Sequence, residues 1–192
     1  MVSILLLVKL NGKQRLFNIF TEEQRRKLIL FLFERMLKVL EGLPVYVVTP
    51  DDLPPGRYTI IRDEWGDINK AVAKARTCMR DDFLILPCDL PFLEREDVDF
   101  LLRNKMKVKI VSSQDGGTSA LILPVDTEIE TQFGEDSFRK HLKLLEKESV
   151  EYEIYESDNF RDIDTKEDIV WALEHKRVSE FSEFIRKELG TL

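Results

Sequence analysis

Cysteine is nearly absent: Cys78 and Cys88 are the only two in 192 residues. Two such residues make no disulfide framework, which fits a reducing, cytoplasmic setting. Long apolar runs are missing as well. The longest, ILLLV near the start and LILFLF at 28–33, fall far short of the ~20 residues a membrane span needs. The first run has no basic lead and no small-residue cleavage site, so no signal peptide is expected. Positive charge is in deficit, with 29 Lys and Arg against 36 Asp and Glu and a net charge of −7. That argues against nucleic acid as a partner, because a phosphate backbone wants a basic surface. Histidine is scarce. His141 and His175 suggest no Ser-His-Asp or Cys-His arrangement, and Asp89 beside Cys88 disfavours a thiolate. Neither GxxxxGK[ST] nor GxGxxG occurs, which removes a P-loop and a dinucleotide fingerprint.

What is present is the profile of a folded globule, 43% hydrophobic and 34% charged. The length suits one domain, residues 1–192, with 178–192 as a C-terminal helical extension. Strands are expected at 3–9, 45–49, 58–62, 83–87, 107–113, 118–124 and 150–156. Helices are expected from Thr21 to about Glu41, and over 67–80, 94–104, 136–148, Thr165 to about Lys176, and 178–189. TEEQ at Thr21 and TKED at Thr165 read as capping boxes. The alternation of strands and helices predicts an α/β fold: a mostly parallel twisted sheet with helices on both faces. The two strands flanking QDGG (114–117) break the alternation, so one local antiparallel pair is expected. Ligands in such sheets bind beyond the carboxyl ends of the strands.

The strand ends carry the chemistry. KLNGKQRL places Lys9, Lys13 and Arg15 in one loop after the first strand. A triphosphate, with about four negative charges, needs such neutralisation, although a solvated basic loop is the simpler explanation. LPCDLPFL puts Asp89 between two prolines past a very apolar strand, where it serves either a divalent cation or a turn. In FRDIDTKED, Asp162 and Asp164 are two apart in an extended stretch, which sends both carboxylates to one side of the chain. Thr165 has the plainer role of helix cap. FGEDSFRKH opens a helix near Ser137, whose free N–H groups favour an anion, and Gly134 lets backbone come close. Asp136 or Ser137 serves equally well as an ordinary N-cap. His141, one turn on, reads more readily as packing than as chemistry.

Taken together, these segments resemble the 2-phospho-L-lactate guanylyltransferases of coenzyme F420 biosynthesis (CofC) and their phosphoenolpyruvate-using relatives. The resemblance rests on VK with KQRL (8–9, 13–16), IN (68–69), LPCDLPFL (86–93), GGTSALIL (116–123), FGEDSFRKH (133–141) and DIDTKEDI (162–169). It implies a nucleotidyltransferase fold of the glycosyltransferase-A kind, GTP, Mg²⁺, a phosphorylated three-carbon acid and a homodimer. By the same resemblance Asp89, Asp162 and Asp164 are metal ligands, and Lys9, Lys13, Arg15 and Asn69 contact the nucleotide. Gly117, Thr118, Gly134 and Ser137 cradle the acceptor's phosphate. The chain departs from the family at Leu7, where Pro is frequent, at Ser119, where Asn is usual, and in a shorter loop between Lys9 and Lys13. A sugar-phosphate or molybdopterin nucleotidyltransferase usually carries G-x-G-x-R after its first strand, whereas this chain has only Gly12. A non-catalytic nucleotide-binding module stays open at this point. A receiver-like switch on Asp51 and Asp52 ranks last, because receiver domains are much shorter.

Overall fold

The computed structural model describes residues 2–78, 81–103, 107–176 and 179–189. Its strands are β1 (Val2–Leu7), β2 (Val45–Thr49), β3 (Thr59–Arg62), β4 (Asp82–Pro87), β5 (Val108–Ser112), β6 (Thr118–Leu123) and β7 (Tyr152–Tyr155). Its α-helices are α1 (Glu22–Val39), α2 (Ile68–Cys78), α3 (Arg95–Leu101), α4 (Ser137–Lys147), α5 (Lys166–His175) and α6 (Glu180–Leu189). Each coincides with an expected segment. Two 3₁₀ turns, Gln14–Leu16 and Asp158–Phe160, were not anticipated.

The strands form a single seven-stranded sheet in the order β3-β2-β1-β4-β6-β5-β7. All pairings are parallel except those of β6, which runs against both β5 and β4. One reversed strand therefore accounts for the break in alternation. It also has a consequence for position. Because β6 runs backwards, its first residues lie beside the carboxyl end of β4, and Thr118 and Ser119 meet Pro87 and Asp89 on one rim.

Alternating strand residues feed two cores, as a sheet covered on both faces requires. Ile4, Leu6, Leu84 and Leu86 pack with Ile29, Phe33 and Met36 of α1 and Val98 of α3. Leu5, Ile85, Leu121 and Leu123 pack on the other face with Val72 and Ala75 of α2 and Leu145 of α4. Each such fully buried aliphatic side chain contributes about 1.5–3 kcal/mol. A third cluster lies outside α1: Leu28 and Leu32 meet Ile169, Phe181 and Ile185 of α5 and α6, and Phe184 stacks on Phe31 at 4.3 Å. The apolar stripe of the last helix is thus covered by its own chain. The capping boxes at Thr21 with Gln24 and Thr165 with Asp168 are both formed. No described helix is long and apolar enough to cross a membrane.

Candidate active site

The loop after β1 is wound tightly. Gly12 N–H donates to Lys9 O at 3.0 Å and Leu16 N–H to Lys13 O at 3.0 Å, while Leu16 is fully buried as an anchor. A Cβ on Gly12 would press against the Lys9 carbonyl at 3.0 Å. Lys13 itself has a φ of 59°, the left-handed region that a lysine seldom adopts. Leu10 N–H donates to Asp51 Oδ2 at 2.7 Å, which gives Asp51 a structural task. The strained turn aims Lys13 inward. Its ammonium lies 2.5 Å from both Asp89 Oδ2 and Asp164 Oδ1, with the lysine side chain only 6% exposed. Burial alone would lower the lysine pKa. The charges of Asp89 and Asp164 outweigh it, and the net effect is a rise above the ordinary value.

Asp89 is carried past β4 by main-chain bonds. Cys88 N–H donates to Leu7 O at 3.1 Å, and Asp89 O accepts from Ile163 N–H at 3.3 Å. The second bond joins the two acidic segments directly. Burial, and then the charge of Asp89, push the Cys88 thiol up to about 12, so it is a packing residue. Ile163 is fully buried, with Asp162 and Asp164 on either side of it. Asp164 and Thr165 both donate backbone N–H to Asp168 Oδ2, at 3.1 and 2.9 Å. Arg161 braces that carboxylate at 2.9 Å and lies over the Trp171 ring at 4.3 Å. Asp162 is pushed up to about 7, first by burial, then by the charges of Asp89 and Asp164, with Lys13 opposing.

Two cavities adjoin here. One, of about 320 Å³, is lined by Lys9, Gly12, Lys13, Val48, Asp89 and Asp164. The other, of about 780 Å³, is lined by Asp89, Asp162, Gly117, Thr118, Gly134 and Ser137. Asp89 borders both. The expected pair of carboxylates therefore opens into two adjoining spaces, Asp164 into the first and Asp162 into the second. Among the described residues no three carboxylates, imidazoles or thiolates form a ready metal cage, and Lys13 places an ammonium between Asp89 and Asp164. The donor set nevertheless fits a hard divalent ion, which typically takes one or two carboxylates plus substrate oxygens. Asp89 Oδ1 is buried and has no donor of its own.

The second cavity is shaped by an irregularity. Ser112 pairs with Thr118 and Val111 with Ala120, so Ser119 is one residue too many on β6. This β-bulge turns Thr118 to the face where α4 packs, a common device beside sites. Thr118 Oγ1 lies 3.0 Å from Ser137 Oγ and 3.1 Å from His141 Nδ1. Ser119, 2% exposed, lines the cavity with a hydroxyl that has no partner. The QDGG turn needs Gly116 for a φ of +83°. A Cβ on Gly117 would lie 2.5 Å from Ser113 Oγ, so a larger residue there would displace that hydroxyl. Its N–H donates to Asp115 Oδ1 at 3.1 Å, so the amide expected on a substrate phosphate is held by a side chain of the turn itself. Asp136 occupies the N-cap of α4 with a φ of 54° and makes no side-chain cap.

Two expected nucleotide contacts lie elsewhere. Asn69 clamps the Phe133 backbone, donating Nδ2 to its O at 3.0 Å and accepting its N–H on Oδ1 at 2.7 Å. It lines a separate small cavity with Lys70 and Arg76. Arg15 is exposed, borders the Thr118 cavity rather than the Lys9 cavity, and stands 3.9 Å from Asp115. Lys9, by contrast, lies on the first cavity. Sequence reasoning undervalued His141, which is fully buried against Phe133 and bonded to Thr118. The 3.6-residue period that puts it one turn from Ser137 was the available signal.

The profile of the family described as "Guanylyl transferase CofC like" matches residues 1–190. A 2-phospho-L-lactate guanylyltransferase from Methanocaldococcus fervens is 33% identical over 82% of this chain and 77% of its own length. A 3-phospho-D-glycerate guanylyltransferase from Phenylobacterium zucineum is 29% identical over 84% of each chain. Among solved structures, a protein proposed to be a nucleotide-diphospho-sugar transferase, from Desulfovibrio desulfuricans G20, aligns with a TM-score of 0.79 over 97% of this chain and 94% of that one. At 18% identity that likeness speaks for the fold alone. The whole-chain profile match and the relatives' identity lead to one conclusion: this chain belongs to the CofC-like guanylyl transferase family.

Proposed function

We propose that the protein transfers GMP from GTP to the phosphate of a three-carbon acid, 2-phospho-L-lactate or phosphoenolpyruvate, releasing pyrophosphate, as a step of coenzyme F420 assembly. One observation carries the reading. A lysine-lined cavity and a hydroxyl-lined cavity meet at a single carboxylate, Asp89. Two anions must be brought together, and the residues suit two anions in different ways.

GTP enters the first cavity with its phosphates toward Lys9 and Lys13. The acceptor's phosphate lies in the second, against Thr118, Ser137 and the open backbone of Gly134, whose φ is +127°. A phosphomonoester has a second pKa of about 6 and is largely ionised near neutrality. An acceptor oxygen therefore attacks the α-phosphorus without a general base, in keeping with the lack of any exposed histidine at the rim. The chain's work is to hold attacker and target in line and to lessen their repulsion. Asp89, Asp162 and Asp164 would hold Mg²⁺, with Lys13 swinging from between two of them toward the nucleotide. The ion would supply positive charge at the reacting phosphates. The name of the Phenylobacterium relative supports a phosphorylated three-carbon acid as the acceptor class.

The test is a panel of acceptors with GTP and with ATP in the presence of Mg²⁺, reading pyrophosphate. Release with GTP and one phosphorylated three-carbon acid is expected. Silence with every acceptor from folded protein would overturn the proposal and favour a nucleotide-binding module.

A further inference from the structure

The direction of the hydroxyl bonds in the second cavity follows from a single backbone group. Gln132 N–H points at His141 Nε2 at 2.8 Å. An imidazole nitrogen that accepts carries no proton, so a neutral ring must hold its hydrogen on Nδ1. Nδ1 lies 3.1 Å from Thr118 Oγ1 and therefore donates to it. Thr118 then has its own hydrogen to pass on, either to Ser137 Oγ at 3.0 Å or into the cavity. Among the described residues Ser137 Oγ makes no other hydrogen bond, so its hydrogen too is available to the cavity. The ring is fixed in place by burial and by the edge of Phe133, 5.1 Å away at 73°. Burial also pushes its pKa down to about 4, which keeps it neutral near pH 7.

We propose that His141 is a positioning residue: by donating from Nδ1 it leaves Thr118 and Ser137 with hydrogens to give, so the cavity takes a group that only accepts, such as an ionised phosphate. This inference rests on the second cavity being the acceptor's. It adds a reason for the choice of ligand. The rest of the lining is acidic, with Asp89, Asp115, Glu135, Asp136 and Asp162 on the same cavity and Arg15 as its basic member. An anion therefore depends on oriented donors more than on net charge. Reversing the chain would make Thr118 donate to the ring and leave the two hydroxyls to share one hydrogen between them.

Two measurements test it. Long-range ¹H–¹⁵N spectra of the free wild-type protein at pH 7 should give the Nδ1–H tautomer of His141. The Nε2–H tautomer would overturn the proposal whether or not the protein turns over. Steady-state kinetics should then separate His141→Leu, which removes the donor, from His141→Asn, which returns an N–H near the position of Nδ1. A lost hydrogen bond of this kind is worth about tenfold. The acceptor KM should rise by about that factor in the Leu variant, with the GTP KM unchanged, and recover to within about threefold in the Asn variant. Equal losses in both variants, or a loss shared by the GTP KM, would mark a merely structural histidine and overturn the assignment. If the Leu variant does not fold, the tautomer and the Asn variant still decide. Failure of the transfer reaction itself would appear separately, as wild-type protein inert toward every acceptor.

Discussion

Asp162→Asn should stabilise the metal-free protein while abolishing turnover. The carboxyl of Asp162 is half-buried and pushed up to about 7 by burial and by Asp89 and Asp164. Its ordinary value is 3.8. Below that value both folded and unfolded states are protonated, and the group contributes nothing. As pH rises, the unfolded chain ionises first, so folding loses stability until the native group ionises near 7. The loss amounts to at most about 4 kcal/mol at 1.36 kcal/mol per pH unit, and less to the extent that water screens the site. An amide stays neutral and avoids it. Thermal melts in EDTA at pH 8 should therefore place the Asn variant roughly 5–10 °C above wild type, with the gap closing toward pH 4. Adding Mg²⁺ should raise the wild type and leave the variant where it is. A variant that melts at or below the wild type at pH 8 would refute the claim that the acidic cluster is strained without a cation.

Three other perturbations bear on the same rim. Lys13→Met leaves Asp89 and Asp164 facing each other without their shared ammonium, and should cost about 3–5 kcal/mol in urea unfolding at pH 8, less at low pH. Ser119→Ala deletes a buried hydroxyl that has no partner, so the free protein should gain about 1–3 kcal/mol in urea unfolding. In the same variant the acceptor KM should rise if the acceptor occupies the second cavity, which that hydroxyl lines. Gly117→Ala brings a methyl to 2.5 Å from Ser113 Oγ. It should weaken acceptor binding several-fold, and adding Ser113→Ala should restore part of the loss.

The architecture was legible because its signals are local. Alternating strands and helices, the threonine caps of α1 and α5, and the unbroken apolar runs of β1 and β4 need no knowledge of distant neighbours. The acidic and basic residues of the first cavity were found for a similar reason: they sit at strand ends, where parallel sheets bind ligands. What escaped depends on pairing. A bulge exists only relative to a partner strand, so nothing in TSALIL marks Ser119 as the extra residue. Asn69 opens α2 in a polar context, yet its amide is taken up by Phe133, 64 residues away. Arg15 belongs to the basic loop by sequence but to the other cavity in space. The Lys13 bridge required a left-handed backbone at a residue with no glycine-like freedom, which composition does not reveal.

The bond from Ile163 N–H to Asp89 O joins residues 74 apart in the chain. Lys13 and Asp89 leave the ribosome long before their third companion, Asp164, is made. Until then the half-built rim has a lysine with one carboxylate, and the outer face of α1 lies bare where α5 and α6 will later settle. The rim thus closes only in the final quarter of synthesis, and a chain cut short before residue 164 never forms the bridge from Lys13 to Asp164.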